Sequence, residues 1–433
     1  TSDISSAASD VYKRQSQIAG FFWEYYQFTM DKEFLEKMGY PFLKKAAEFY
    51  VQTLQWDEKK NEFFIFPSQP YESPRSHDLK NPISDRNMIA STMRACIESA
   101  QILKVDKKKI REWQHIIDHL WAIPFRTEPG VGEVMQLAYN PDGSIYPAVE
   151  DYGKWTNHFS ANTSLVFPAN IIGLDQKGSR EFIAAENVVK NHSPDMNAIS
   201  PDPIVAARLG LGDVVLERMT NGIRRLQHFP QGLFYNIDHW YNLSLYMDSV
   251  NQPDITTQRD YIYDQRAHYP KGHPAKPFIQ CGLEPLSIFS ASVNEMLLQS
   301  NEGKIRIFPA VPKGWTPAFK LRARGAFKVT SELKADGSIP GIFIESLKGN
   351  ECKVVNPWGQ DKVSVWKLNG KKKQITYKSL KNDVIAFSTE SNATYLITQR
   401  GRKGQFDVSV YVGTQNHAPK HFLEAILGKS RNF

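Results

Sequence analysis

The chain has 433 residues and a mass of 49.4 kDa, enough for one large core and a second module. Its hydrophobic content of 41% and charged content of 23% exclude a disordered or fibrous chain, and no apolar run is long enough to span a bilayer. The net charge of +7 is scattered, with its densest cluster at Lys371-Lys372-Lys373 in a predicted hairpin, which argues for a solvated surface and against nucleic acid.

Residues 1–15 are polar and lack a clear period. Ser5 to Gln15 reads like a translated adaptor tail of the kind carried by metagenomic sequences, so a non-native or disordered tail is expected there. From Gln17 to Ser300 helical spacing dominates. Ile18, Phe21, Phe22 and Tyr25 keep that spacing. Pro41 opens a helix, with Phe42, Leu43, Ala46, Ala47, Tyr50 and Leu54 as its inner stripe. Phe63–Phe66 is a short apolar strand, and 67–82 is a loop with four prolines. Ser84 is expected to cap a helix carrying Met88, Ile89, Thr92, Met93, Cys96, Ile97 and Ala100. Asp106 is expected to cap another, carrying Ile110, Trp113, Ile117 and Trp121.

Residues 124–160 read as loop. Helices follow near 179–190, 201–209, 213–226 and 285–300. Between 227 and 282 lies a long polar and aromatic stretch without a clean period, and a loop of that length in a compact domain is usually functional. After Trp315 the period changes to two. Strands are predicted at 319–333, 341–347, 363–368, 384–388 and 394–398, with turn signals at Asp336-Gly337, Asn369-Gly370 and Lys381–Asp383. These strands read as a β-sandwich over 313–400, followed by a basic extension at 401–433.

Cys96, Cys281 and Cys352 lie far apart and form no metal-ligand spacing; Cys96 falls on an apolar helix face. The sequence carries no phosphate loop, zinc motif or Ser–His–Asp signature, so neither a metal nor a cofactor is expected. The 12% aromatic content suits a large core and equally the flat platforms of sugar sites.

The run Glu295-Met296-Leu297-Leu298-Gln299-Ser300-Asn301-Glu302-Gly303-Lys304-Ile305-Arg306-Ile307-Phe308-Pro309-Ala310, then Pro312-Lys313-Gly314-Trp315, reads as helix, stop, strand and turn. With Leu321-Arg322-Ala323-Arg324-Gly325-Ala326-Phe327 it resembles the end of the catalytic domain in glycoside hydrolase family 95, the inverting α-L-fucosidases and their relatives. The likeness covers about 17–400. It implies a mainly α catalytic domain over 16–312, an incomplete (α/α)6 toroid of helical hairpins, joined to the C-terminal β-sandwich. It further implies a bacterial, periplasmic or secreted enzyme acting on an oligosaccharide or glycan.

Inverting hydrolysis needs an acid for the leaving oxygen and a base that activates water on the opposite ring face. Pro67-Ser68-Gln69-Pro70-Tyr71-Glu72 resembles the family loop that bears the general acid, which puts Glu72 in that role. A carboxyl in a rigid, aromatic-flanked loop can hold its proton at neutral pH. Glu284, in Leu283-Glu284-Pro285, stands where the family has a water-positioning Asp, and it reads equally as an ordinary acidic residue at a helix start. His158 and Ser160 match part of a family histidine motif, while Thr156 and Ala161 replace its flanking histidines, which implies a changed sugar pocket. His158 also suits a structural role. Asp85 matches an acidic family position or is a first-turn charge. Trp155, His158, Trp240 and Tyr241, with Phe234, Tyr235 and His239 nearby, are the expected substrate-binding residues; the aromatic run suits core packing as well. The implied reaction is removal of a terminal α-L-fucosyl or related α-L-sugar. An α-L-galactosidase-like enzyme and a degenerate, non-catalytic glycan-binding protein remain as alternatives.

Overall fold

The computed structural model describes residues 2–70, 78–147, 161–191, 200–226, 234–235, 281–282, 284–401, 421–422 and 425–426. A helical region comes first and an antiparallel β region second. The helical region opens with α1 (Ser2–Thr29). A single turn, α2 (Lys32–Phe34), is capped by Asp31, whose carboxylate accepts the Phe34 N–H at 3.0 Å. A π-turn over Leu35–Gly39 then leads into α3 (Tyr40–Thr53), with Pro41 in its first turn as expected. The strands β1 (Gln55–Asp57) and β2 (Glu62–Phe64) form a hairpin.

Two long helices follow: α4 (Ile83–Leu103) and α5 (Lys107–Asp118). Helices α1, α3 and α5 all pack against α4. Their shared core holds Leu43, Tyr50, Met93, Cys96, Trp113 and Trp121. The stripe Ile18, Phe21 and Tyr25 is not part of it. Those side chains are exposed among the described residues, and Ala19, Trp23, Tyr26 and Met30 turn inward instead. Both expected caps differ. Ser84 lies inside α4, one residue past its start, because Pro82 takes the cap position. Asp106 does sit before α5, but its carboxylate accepts from Tyr40 Oη (2.6 Å) and Lys44 Nζ (2.8 Å) rather than from the helix backbone. It therefore fastens α3 to the α4–α5 turn. Helix α5 stops at Asp118, so Trp121 is buried beyond it.

The stretch read as loop contains two hairpins, β3 (Phe125–Glu128) with β4 (Gly132–Met135) and β5 (Ala138–Tyr139) with β6 (Ile145–Tyr146). Helices α6 (Arg180–Asn191), α7 (Asp202–Arg208) and α8 (Gly212–Leu226) fall where the periodicity placed them. The short strands β7 (Phe234–Tyr235) and β8 (Cys281–Gly282) pair across the long aromatic stretch, and α9 (Glu284–Leu297) closes the helical region. A second core joins Ile83, Val166, Phe182, Val205, Val215 and Met296, so the start of α4, the 161–172 segment and α6 to α9 pack as one body. Among the described residues no central sheet threads these helices.

The β region begins with the hairpin β9 (Leu298–Gln299) and β10 (Arg306–Ile307). Next come β11 (Ala318–Ala323), β12 (Phe327–Glu332), β13 (Ile342–Ser346), β14 (Cys352–Val355), β15 (Val363–Lys367), β16 (Lys373–Ile375), β17 (Lys378–Leu380), β18 (Val384–Phe387) and β19 (Ala393–Gln399). Six form one sheet in the order β11-β12-β13-β19-β15-β16, and three form another, β14-β18-β17. Inward residues of both, such as Val329, Ile344, Val365 and Tyr395 from the first and Cys352, Val354 and Phe387 from the second, meet in one core. Leu298, Ile305 and Ile307 belong to that core too, although they lie upstream of the boundary expected at 312/313. Beyond 401 the described residues form only a small hairpin, β20 (His421–Phe422) with β21 (Ala425–Ile426).

The two regions are stitched together at the β11–β12 turn. Gly325 and Ala326 both have positive φ (85° and 61°), which turns the chain within three residues. The Gly325 N–H donates to Gln27 C=O at 2.7 Å, satisfying one of the carbonyls that the last turn of α1 leaves open. Beside it, Arg324 Nη2 pairs with Glu24 Oε1 at 2.8 Å.

Candidate active site

The N-terminal end of α4 is where the segments singled out by the sequence meet. From Ile83 to Met93 only Arg86 and Ser91 escape full burial, so Ser84, Asp85 and Asn87 must find partners inside the protein. Ser84 Oγ donates to Pro70 C=O (3.1 Å), and Ser68 Oγ donates to Asp85 Oδ2 (2.5 Å). Ser68 and Leu79 also exchange both backbone hydrogen bonds at 2.9 Å, and Asn81 Oδ1 accepts the Ile65 N–H at 2.9 Å. The 65–70 arm is thus held to 79–85 by main-chain and side-chain contacts together. That arm leads directly into Glu72.

On the next face of α4, Asn87 Nδ2 donates to Ser164 Oγ at 3.0 Å, and both side chains are buried. Asn162 Nδ2 donates to Met135 C=O at 3.2 Å. The segment that follows the His158 motif is therefore fixed against the same helix end and the β3–β4 hairpin. The C-terminal end of α9, eleven residues past Glu284, packs against α7. Arg208 at the end of α7 donates to Glu295 Oε1 (2.9 Å) and to Val166 C=O (3.1 Å), and its guanidinium lies 4.9 Å from the Phe167 ring centroid. With Arg208 and Glu295 this deep, the ion pair positions α9 against 166–170 more than it adds net stability.

Of the predicted site residues, Glu72, Trp155, His158, Trp240 and Tyr241 lie outside the described residues. Glu284 is the first residue of α9, and its side chain also lies outside them. What the structure brings together is two of their supports, the arm before Glu72 and the segment after His158. Ser68, Ser84 and Asn87 were not picked out by periodicity. The signal for them is a helix start too apolar on every side to leave its polar residues in water. Asp85, open to two readings in the sequence, is 2% exposed and bonded to the 65–70 arm, so its work is done inside the fold. The described residues contain no cluster of His, Cys, Asp and Glu able to hold a metal. No described helix is long and apolar enough to cross a membrane.

The family model described as the Glycosyl hydrolase family 95 catalytic domain matches residues 14–192, and that for the Glycoside hydrolase family 95, C-terminal domain matches residues 299–397. Alpha-L-fucosidase 2 of Arabidopsis thaliana is 26% identical over 320 residues, covering 71% of this chain. The chain spans about a third of that relative's length (33%). Among solved structures, a putative kojibiose phosphorylase from human microbiome aligns with a TM-score of 0.42 and 11% identity, covering 86% of this chain and 44% of that one. The Streptomyces avermitilis alpha-L-rhamnosidase complexed with L-rhamnose aligns with a TM-score of 0.41 and 10% identity, covering 87% and 32%. Scores this low carry no argument about the fold. The two family models do, because they match in order, one on the helical region and one on the β region, and leave between them the stretch around the aromatic run. The chain belongs to glycoside hydrolase family 95.

Proposed function

We propose that this chain carries the acid-bearing part of an inverting glycosidase that removes terminal α-L-fucosyl or related α-L-sugar residues from glycans, in the periplasm or outside the cell. The observation that carries the reading is the convergence at α4: the arm leading to Glu72 and the segment following His158 are both bonded to one buried helix end. In this reading the helical region is part of an (α/α)6 toroid, and the two sheets form a β-sandwich set against it. Glu72 protonates the leaving oxygen. Glu284 helps activate water on the other face of the ring. Trp155, His158, Trp240 and Tyr241 line the sugar pocket, with His158 and the tryptophans giving one polar contact and two flat apolar faces.

Acid assistance matters only when the leaving group needs a proton, which gives the test. Glu72→Gln should lower kcat on a fucosyl disaccharide by about 10²- to 10⁴-fold, the usual worth of general acid–base catalysis, and affect a 4-nitrophenyl fucoside far less. Glu284→Gln should slow both substrates. Proton NMR of the first-formed anomer should show inversion; retention would reject the water-mediated roles.

A further inference from the structure

At the opposite end of α4 from Asp85, the helical and β regions enclose a cleft of about 250 Å³. Its walls include Trp23 and Gln27 of α1, Glu98 of α4, Ser300 after β9, Arg324 of the β11–β12 turn and Lys353 of β14. Asp85 and Glu98 are thirteen residues apart on one helix, so the cleft lies about 20 Å along α4 from the candidate active site at 1.5 Å per residue.

Three planar polar side chains line this cleft with bonding capacity to spare. The Gln27 amide and the Glu98 carboxylate make no hydrogen bond or ion pair among the described residues. Arg324 uses one donor on Glu24 Oε1, and none of its other side-chain N–H groups is bonded among the described residues. Trp23 stacks on Tyr26 (5.4 Å between ring centroids), and the rest of its half-buried indole borders the open space. Glu98 is wet, but the protein mass walling the cleft raises its carboxyl above the usual range, against the pull of Arg94 and Arg324.

The charges nearly cancel. Arg324 faces Glu24 and Glu98, Lys353 pairs with Glu351 at 3.4 Å, and Lys304 pairs with Asp175. An anion would meet Glu98 and Glu351, and a cation would meet Arg324. A neutral ring rich in hydroxyls meets donors, acceptors and one aromatic surface. The volume is below the roughly 300–1,000 Å³ of sites for drug-sized ligands, which suits one ring.

We propose that this cleft is a second saccharide-binding site, taking one neutral pyranose unit of the glycan whose terminal residue is processed at the other end of α4. The proposal rests on the glycan reading above, and it concerns a separate set of residues. It is tested by 19F NMR of the full chain labelled with 5-fluorotryptophan, with the Trp23 signal assigned by Trp23→Phe. The probes are methyl α-L-fucopyranoside, methyl β-D-galactopyranoside and inorganic phosphate. The Trp23 signal should move with a millimolar Kd for at least one glycoside. Gln27→Ala combined with Glu98→Leu should weaken that titration tenfold or more while leaving aryl fucoside hydrolysis within twofold. Glu72→Gln should leave the titration unchanged. The proposal is overturned if neither glycoside moves the signal, if the double variant titrates like the parent, or if phosphate moves it at lower concentration than either glycoside. A titrating Trp23 signal in a protein that hydrolyses no glycoside would sink the proposed activity and keep this site.

Discussion

The β region and the helical region place their buried polar groups differently. In the β region the backbone ladders carry the fold, and buried hydroxyls play local parts: Ser331 Oγ donates to Gly341 C=O at 2.8 Å, and Ser346 pairs with Thr389 at 2.7 Å. In the helical region Ser68, Asn81, Ser84, Asp85, Asn87 and Asn162 gather around one helix end and fix loops that backbone pairing holds only at isolated bridges. Burying such groups is costly unless each is paired. Their concentration therefore marks where side chains join isolated backbone bridges in determining loop position.

Asp85→Ala should show this contrast most strongly. It leaves the Ser68 hydroxyl without its carboxylate inside the protein, at a cost of about 1–3 kcal/mol, and it should lower kcat/KM for glycoside hydrolysis at least tenfold by releasing the arm before Glu72. The matched change, Ser346→Ala, should cost about 1 kcal/mol and leave kinetics alone. Equal kinetic effects of the two changes would break the contrast.

Gly212→Ala probes the seam between the regions. A methyl group on Gly212 would sit 2.2 Å from Ala310 C=O, in the strap that leads from β10 to β11. Relieving that clash should cost about 1–3 kcal/mol, read as a lower midpoint in urea, with both regions losing structure together. Separate transitions would show that the seam couples them less than the packing suggests.

Asp106→Asn should have a smaller effect, about 0.5–1 kcal/mol, since Lys44 and Asp106 are partly exposed. Bonds from Lys44 and then Tyr40 hold the Asp106 carboxyl below its usual range. Its contribution is thus fully present above the ordinary carboxylate pKa and is lost as pH falls through the depressed one. The variant should lose that part of the acid slope in a pH series of denaturant melts. The smallest effect is expected at Cys96 and Cys352. Burial raises both thiols well above the ordinary range, so iodoacetamide should leave them unmodified in the native protein and label them on unfolding.

The sequence was most legible where one period governs a whole element. Helices α6, α7, α8 and α9 and the strands β13, β15, β18 and β19 follow from spacing, whereas the single strand expected over 319–333 is two, β11 and β12, folded back at the Arg324–Ala326 turn where Gly325 and Ala326 take positive φ. The strands β16 and β17 escaped, being three residues long, too short to establish a period, and β14, no shorter than β18, lacks the turn signal that precedes β18. The caps were misread for another reason. Ser84 and Asp106 have the right chemistry for capping, but each found a tertiary partner, Pro70 and the Tyr40–Lys44 pair, that local sequence does not reveal. At the candidate site, resemblance supplied Glu72, Glu284 and His158. Ser84 reads in the sequence only as a cap, and the partners of Ser68, Ser84 and Asn87 show only once distant segments are seen against one helix.

The bond from Gly325 N–H to Gln27 C=O has a consequence in time. The neighbouring Arg324–Glu24 pair spans 300 positions of chain, and at synthesis rates of about 5–20 residues per second the late partner is added roughly 15–60 s after the early one. For that interval the end of α1 emerges with its carbonyls facing water and Glu24 unpaired. Among the described helices α1 comes first in the chain, and it is therefore among the last to be finished.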